Sequence, residues 1–344
     1  MSADGKGIVR HNYRGGGRIP DDATHVVVVD EDIIAILRQT IVSHQNIVEF
    51  ICHDKVRTIE EEAFMECQSL RRVVAPGVTE VDGGALSYCE AMQIFDGNSL
   101  IFVRERAFIG CTSLSSISLI SVRIVEGKAF KSCKALTTVT FSNKLEKLGG
   151  EDDLLEGFIF ADCTSLEQIT IPFRVDLIQS NNIFQGCGNL KTVRLANGVL
   201  HETINALYLD DWKNDMNETV DWINFILPDV YAGIDEDDEG EKAWVIKRWM
   251  RLIQRKIIHY QAEHRRILDN VATTLQFAFP NNDIVMNNII PFLELPSYIF
   301  ERDEEAVHRD RRRRIFRYID RDEQGRRNIL EQLFRLRERL TTNS

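Results

Sequence analysis

The 344-residue sequence has no long apolar run. A helix that crosses a membrane needs about 20 consecutive, predominantly apolar residues, and the longest apolar runs here are far shorter. Residues 1–17 are polar, contain three successive glycines, and lack the apolar core of a signal peptide. The sequence therefore predicts a disordered tail over residues 1–17, no signal peptide and no membrane insertion. The expected location is cytoplasmic, with a nuclear one as the alternative.

The motifs of several enzyme classes are also missing. There is no GxSxG, HExxH or GxxxxGK[ST] sequence. His308-Arg309-Asp310 matches the start of a kinase catalytic loop, but Ile315 stands where that loop needs asparagine. No nucleophile, base and orienting group stand together as in a catalytic site. We therefore expect a protein that is not an enzyme and that uses no cofactor.

Metal-binding patterns are absent as well. The seven cysteines include no CxxC pair and no Cys/His pair at the spacing typical of zinc sites. A lone histidine, His264, falls on an apolar helical face, where a core role is far more usual than a ligand role. The sequence therefore predicts no metal site.

Charge is plentiful but predominantly acidic. The 53 Asp and Glu residues outnumber the 42 Lys and Arg residues, which gives a formal net charge of -11. An anionic surface is repelled by phosphate, and this argues against nucleic acid as a general partner. The length favours roughly two domains.

An internal repeat occupies roughly the first 200 residues. Its clearest copy, AFxGCTSLxxIxL, runs from Ala107 to Leu119. Six copies share the same three positions. The first is an aromatic or aliphatic residue, the second, three positions later, is always cysteine, and the third, six positions after the first, is apolar. These predicted core residues are Phe64, Cys67, Leu70, Leu86, Cys89, Met92, Phe108, Cys111, Leu114, Phe130, Cys133, Leu136, Phe160, Cys163, Leu166, Phe184, Cys187 and Leu190.

Each copy predicts one coil of a solenoid. An apolar pair precedes most copies, such as Val56 with Ile59, and a short β-branched run follows, so that the AFxxC phrase joins two short strands. A coil of about 22 residues cannot bury its apolar side alone, and stacked coils bury one another. A degenerate seventh copy is centred on Ile41, and residues 25–29 predict the strand of a partial first coil.

Stacking would place the six repeated cysteines in one column. We expect buried, reduced thiols that pack as small apolar groups, because free cysteine is among the most often buried residues. Neighbouring thiols in such a column would stand near disulfide distance. A chain without an export signal gives little reason to expect their oxidation.

The repeat resembles the BspA-type leucine-rich repeat family, whose units read close to V..IG..AF..C.SL..I.IP. The resemblance covers about half of the chain, and Thr170-Ile171-Pro172 reproduces the terminal proline of a unit. It implies a β-rich repeat solenoid of about seven coils. It also implies protein interaction, and the family includes exported surface and adhesion proteins.

Periodicity and composition divide the chain into six parts. We predict a tail (1–17), a leucine-rich repeat domain (18–200), a helical cap (201–228), an acidic linker (229–241), a long amphipathic helix with short helices (242–300) and a charged helical tail (301–344). In the cap, Ile204, Tyr208, Trp212 and Met216 are spaced by four and predict one helical face. The insertion at 149–157 predicts a surface loop, either simply tolerated or in contact with a partner.

Residues 243–278 carry a heptad seam, which predicts a long helix with a definite packing partner. The seam consists of Ile246, Met250, Ile253, Ile257, Tyr260, His264, Ile267 and Val271. Its partner is the end of the solenoid, the neighbouring helices or a second chain. We favour packing within the chain, because Pro280, Pro291 and Pro296 allow short helices to fold back. Self-association through 243–278 is the alternative.

The last 44 residues hold 13 arginines and 10 acidic residues. One interpretation of the arginine run is a nuclear-import or phosphate-contacting patch. The other is a solvated helix with pairs such as Asp310 and Arg314 four residues apart. The candidate basic patch is Arg311, Arg312, Arg313, Arg314 and Arg317.

The leading hypothesis is a non-catalytic protein-interaction module or scaffold inside the cell, whose partner is another, unidentified protein. Stacked coils present a long, rigid surface, and the variable positions between apolar residues supply specificity. A nuclear or nucleic-acid-associated role through the arginine run is one alternative, and a surface or adhesion role is another. The candidate protein-binding face consists of Arg71, Arg72, Gln93, Ser115, Ser116, Thr137, Thr138, Glu167, Gln168, Lys191 and Thr192.

Overall fold

Two parallel sheets run along the repeat region. The computed structural model describes residues 8–15, 18–149, 157–180, 182–196, 199–207, 209–230 and 241–278. Most repeats contribute one strand to each sheet, and the strands that pair do so in parallel with their counterparts in neighbouring repeats. The predicted solenoid of about seven coils with a helical C-terminal region is thereby confirmed.

The first sheet is built from the longer strands of the repeats. They are β1 (Arg10–Tyr13), β2 (His25–Val28), β4 (Glu49–Ile51), β6 (Arg72–Val74), β8 (Ile94–Asp96), β10 (Ser116–Ile117), β12 (Thr138–Thr140), β14 (Gln168–Ile171) and β15 (Thr192–Leu195). Six of them pair in the order β1-β2-β4-β6-β8-β10, and the sheet continues as the three strands β12-β14-β15.

The second sheet has six shorter strands. They are β3 (Ala35–Ile36), β5 (Thr58–Ile59), β7 (Glu80–Val81), β9 (Phe102–Val103), β11 (Ile124–Val125) and β13 (Lys147–Leu148). They pair in the order β13-β11-β9-β7-β5-β3. In each of them the first residue is half-buried and the second is fully buried, so one side chain per strand enters the core.

The AFxxC turns form a third side of the coil, which we call the turn face. Their backbones are bonded from coil to coil: the N–H of Phe64 donates to the carbonyl of Ala85 at 2.8 Å, and the N–H of Phe108 donates to that of Ala129 at 2.8 Å. We number the coils by the aromatic position of the turn, from coil 1 at Ile41 to coil 7 at Phe184. Each coil is therefore hydrogen-bonded to the next on three sides.

The core lies between these sides and contains all eighteen repeat residues predicted above, each at most 1% exposed. Phe108, Phe130, Phe160 and Phe184 stack on one another with ring centroids 5.2–6.0 Å apart. Full burial of such a side chain stabilises the fold by about 1.5–3 kcal/mol. The apolar contribution is thus spread evenly along the array.

The prediction of a disordered tail over residues 1–17 was wrong for residues 10–13, which form β1. Strand β1 pairs with β2 along its whole length, from Arg10 opposite His25 to Tyr13 opposite Val28. Tyr13 is 3% exposed, and the hydroxyl of Thr24 bonds to both the N–H and the carbonyl of Val9. Strand β1 covers the backbone edge of β2. The sequence did not predict this strand, because a single buried side chain gives no alternating apolar pattern.

Among the described residues, three α-helices follow the last coil: α1 (Val199–Asn205), α2 (Asp210–Ile226) and α3 (Glu241–Ala278). The single helical face predicted from Ile204 to Met216 was wrong, because the chain leaves the helix after Asn205 and Leu209 has an extended backbone. Ile204 and Met216 are nevertheless both buried, one from each helix. Asn224 on α2 accepts a hydrogen bond from the N–H of Val193 at 2.8 Å, so α2 lies against the last strand of the first sheet.

The heptad seam of α3 packs within the chain. Its residues from Ile246 to Ile257 are buried, whereas Val271 is 38% exposed. The indole N–H of Trp249 donates to the Thr219 carbonyl at 2.8 Å. Further along, Asp215 on α2 accepts hydrogen bonds from Lys256 at 2.6 Å and from the Tyr260 hydroxyl.

A buried lysine fastens the start of α3 to the array. Lys242 is 1% exposed, and its Nζ donates to the carbonyls of Leu190 at 2.6 Å and Leu227 at 3.1 Å. Burial lowers the pKa of Lys242. Three elements, the last coil, the turn after α2 and α3, therefore meet at one side chain.

Several predictions lie outside the described residues. These are the insertion at 150–156, Tyr208, the acidic run at 231–240, the prolines after α3, and the tail at 301–344 with its candidate basic patch, Arg311, Arg312, Arg313, Arg314 and Arg317.

Replacement of Gly77 by alanine should lower the free energy of unfolding by about 3 kcal/mol. Gly77 lies in the corner between β6 and β7, where an added Cβ would stand 1.9 Å from the backbone carbonyl oxygen of Asp54. Gly188→Ala is the matched control, because its Cβ would meet nothing within 4 Å. Urea unfolding followed by circular dichroism compares the two. Equal stability of both variants would contradict the close packing of adjacent corners.

Candidate protein-binding surface

The cysteine column forms hydrogen bonds to the backbone. Each repeated thiol donates to the carbonyl of the aromatic position one coil earlier: Cys89 to Phe64 at 3.0 Å, Cys133 to Phe108 at 3.2 Å, and Cys187 to Phe160 at 3.0 Å. Cys67, Cys111 and Cys163 repeat the bond at 2.9–3.1 Å. The thiol is therefore a polar link between coils as well as a small apolar filler.

The burial of these thiols makes them unreactive. All seven cysteines are buried and unbridged. Burial raises the pKa of Cys52, Cys67 and Cys187 to about 12, and it raises the pKa of the other four above the ordinary value as well. Nucleophilic and metal-binding cysteines need the thiolate, so this column is unsuited to either role.

The candidate binding face gathers on one side of the first sheet. Arg72 lies opposite Ile94, and Ile94 opposite Ser116, while Thr138, Gln168 and Thr192 follow one another in the same way. The remaining predicted residues stand one position earlier, in a backbone ladder where Gln93 N–H donates to Arg71 and Ser115 N–H to Gln93. The ladder resumes from Thr137 to Glu167 and Lys191. The eleven predicted residues thus form two adjacent columns.

The side chains of the column from Arg72 to Thr192 point away from the core, because the next residue of most of these strands is buried. Val73, Phe95, Val139, Ile169 and Val193 form that inward column. Gln93, Ser116, Thr137, Thr138, Glu167 and Lys191 are exposed, whereas Arg71, Gln168 and Thr192 are half-buried. Alternation along short strands therefore separates a fold-determining column from the variable ones.

Charge on this face is concentrated in coils 1 to 3. Arg72 lies 3.4 Å from Glu49 and 3.1 Å from Asp96, so one guanidinium links three successive strands. From β10 onward the outward side chains of the strands are mainly hydroxyls and amides, as in Ser116, Thr138 and Gln168. The surface thus has a charged part and a hydroxyl-rich part.

Two outward residues of this face were missed by the sequence analysis. Ile94, which is 37% exposed, occupies the same column as Arg72 and Ser116. Asp96, two residues later on β8, is exposed and pairs with Arg72. The period-two alternation of a strand, applied beyond the cysteine phrase, would have found both.

The described residues offer little for other kinds of site. Among them, no group of three or more His, Cys, Asp and Glu side chains is placed to hold a metal ion. In the same part of the chain, no helix combines the length and apolar character needed to cross a membrane. His264 is buried on the seam of α3.

Stacked coils with a repeated AFxxC turn define the class of leucine-rich repeat solenoids. The family model described as "BspA type Leucine rich repeat region" matches six copies, over residues 36–151 and 153–210. The chain belongs to this family. No curated protein matches the chain.

Several solved structures are similar to the chain. A leucine-rich repeat protein of Treponema pallidum is 23% identical, with 43% of this chain and 69% of that chain covered and a TM-score of 0.37. One from Bacteroides ovatus is 17% identical, with 52% and 56% covered and a TM-score of 0.29. A leucine-rich cell surface protein of Faecalibacterium prausnitzii is 18% identical, with 52% and 53% covered and a TM-score of 0.28. The chain thus spans little more than half the length of the last two.

The buried thiols predict a steep loss of stability in alkali. An unfolded thiol ionises near its ordinary pKa of 9.0, whereas the folded thiols stay protonated to about pH 12. Above pH 9 the unfolded chain therefore binds fewer protons, and each thiol lowers the free energy of unfolding by about 1.4 kcal/mol per pH unit. Seven thiols together approach the whole stability of a typical domain, about 5–15 kcal/mol, within one to two pH units.

Urea unfolding at pH 8 and pH 10 measures this effect, and a Cys133→Ala variant should show a shallower pH dependence with one thiol fewer. Iodoacetamide at pH 8 should label no thiol of the folded protein and all seven after unfolding. Equal unfolding midpoints at the two pH values would contradict the burial of the column.

Proposed function

We propose that the chain is a non-catalytic protein-interaction module, and that the two outward columns of the first sheet are its docking surface. The observation that carries the proposal is the register: eleven variable, outward positions stand in two adjacent columns across strands β6 to β15. Membership of a leucine-rich repeat family supports a role in protein interaction.

The energetics of the surface also support docking. Hydrogen bonds between coils hold the strands on three sides, so a partner meets a surface whose backbone is already ordered. Binding to a preorganised surface avoids part of the entropic cost of association. The hydroxyl-rich strands from β10 onward supply donors and acceptors without the desolvation cost of charges.

The caps support the same surface. Strand β1 covers the start of the first sheet and α2 lies against its last strand. These contacts occupy the ends of the sheet, whereas Thr137, Thr138, Glu167 and Lys191 remain exposed between them. A partner can therefore reach the columns without displacing either cap.

Thr138→Arg tests the proposal, with Thr58→Arg as its matched control. Both threonines are the first residue of a short strand, but Thr138 lies on the first sheet and Thr58 on the second. Partners are first identified by affinity capture with the full chain, and the affinity of each purified complex is then measured. We expect Thr138→Arg to weaken binding at least about tenfold, because a bulky charge at the centre of an interface disrupts packing.

Thr58→Arg should leave binding unchanged, and circular dichroism verifies that both variants fold. A loss confined to Thr58→Arg would assign binding to the second sheet instead. The absence of any specific protein partner would contradict the interaction module itself.

A further inference from the structure

The turn face carries its charges in two separate blocks. The turns of coils 2 and 3, residues 60–70 and 82–92, hold six acidic and no basic side chains: Glu60, Glu61, Glu62, Glu66, Asp82 and Glu90. The turns of coils 4 and 5, residues 104–114 and 126–136, hold five basic side chains against two acidic ones. The basic ones are Arg104, Arg106, Lys128, Lys131 and Lys134. All eleven are exposed or half-buried.

An aromatic residue lies between the two blocks. Tyr88 of coil 3 is 44% exposed, and its ring lies over Gly110 of coil 4, where an added Cβ would stand 2.6 Å from the ring. Glu66, Tyr88, Gly110 and Ser132 occupy equivalent positions of four successive turns, all with φ between 58° and 73°. Adjacent coils are about 4.8 Å apart, so Glu66 and Ser132 are separated by about 14 Å with Tyr88 and Gly110 between them.

The charges of the turn face are arranged so that two copies of this face can be electrostatically complementary. A two-fold axis that lies in the plane of the turn face, runs across the coils and passes between coils 3 and 4 brings coil 2 of one copy opposite coil 5 of the other, and coil 3 opposite coil 4. In such an isologous contact each residue pair occurs twice. The acidic block of one copy then faces the basic block of the other, whereas two copies aligned in parallel would face like charges.

We propose that the turn face is the interface of a two-fold symmetric homodimer of this chain. At the middle of the turns, Glu66 lies opposite the partner's Ser132 and beside its Lys131. The axis keeps each edge of the turn face opposite the same edge of the partner, so equivalent turn positions of coils 2 and 5 meet and Glu62 faces the partner's Lys128. Both pairs have opposite charge, and the two Tyr88 rings meet beside the axis.

Contacts within one copy leave these charges available. A Glu66 carboxylate oxygen accepts a hydrogen bond from Ser43 at 3.1 Å, and Lys131 Nζ lies 3.9 Å from Asp162. Arg38 lies 3.1 Å from Glu61 and 3.8 Å from Glu62, and it offsets one charge of the acidic block; Glu62 also accepts a hydrogen bond from Gln39 at 2.8 Å. Exposed ion pairs of this kind contribute only about 0–1 kcal/mol, so re-pairing across an interface costs little. The interface does not involve the columns of the first sheet, and the proposal does not depend on the docking role given above.

Charge reversal of Glu66 and Lys131 tests the proposal on the full chain. In Glu66→Lys, two like-charged pairs replace two attractive ones in each dimer, and Lys131→Glu has the same effect with opposite sign. Sedimentation velocity over a range of concentrations should show dimers of the unmodified chain. Each variant alone should dimerise at least about tenfold more weakly, because like charges across an interface are strongly unfavourable.

Mixing the two variants provides the decisive measurement. In a heterodimer of Glu66→Lys with Lys131→Glu, the two substituted side chains lie beside each other with opposite charge. The native Lys131 of the first variant likewise lies beside the native Glu66 of the second, so both pairs are attractive. We expect the mixture to dimerise although neither variant does so at the same concentration, and a size tag on one variant identifies the heterodimer. High salt should weaken both the unmodified dimer and the heterodimer.

Glu167→Lys, a reversal on the first sheet, is the control and should leave dimerisation unchanged, while circular dichroism verifies folding of every variant. The proposal is overturned if the unmodified chain stays monomeric up to its solubility limit. It is equally overturned if dimers survive both single reversals, which would favour association through α3, or if the mixture of variants remains monomeric.

Discussion

The structure depends on hydrogen bonding from one coil to the next. Within a coil, strands of two to four residues provide almost no stability of their own. Each coil bonds to its neighbours through both sheets, through the turn backbone and through a cysteine thiol. An array of this kind is stable only as a stack, and its terminal coils need other elements to cover them. Strand β1 and helices α2 and α3 meet that need with side chains and topology unlike those of the repeat.

Cysteine suits the column because its position has two requirements at once. The side chain is fully buried, so it must be small and apolar, and the carbonyl of the aromatic residue one coil earlier lies within reach of a donor. A thiol meets both requirements, since it packs as a small hydrophobic group and carries a weak donor. Alanine would fill the space without the bond. The same burial that makes the column useful to the fold suppresses its reactivity.

Much of the fold could be predicted because every coil repeats the same environment, so the spacing of Phe64, Cys67 and Leu70 recurs wherever that environment does. The features that could not be predicted from the sequence are those without a periodic pattern. Strand β1 has one buried side chain, Tyr13, among polar ones. The left-handed turn positions are filled by Glu66, Tyr88 and Ser132 as well as by glycine. Each costs about 1–2 kcal/mol in isolation, and the bonds between coils offset that cost. The amino-acid sequence also gives no indication that each cysteine thiol donates a hydrogen bond to a backbone carbonyl.

In a repeat solenoid, residues that are one repeat apart in the sequence form continuous columns on the surface. Residues that occupy the same position in successive coils stand about 4.8 Å apart, so any change in charge from one repeat to the next becomes a gradient along a column of the surface. On the first sheet this change turns a charged surface into a hydroxyl-rich one; on the turn face it separates acidic from basic side chains over four coils. The two surfaces lie on different sides of the coil. Because the buried side chains and the backbone bonds hold the coils together, the outward residues of each surface can differ from coil to coil without loss of the fold.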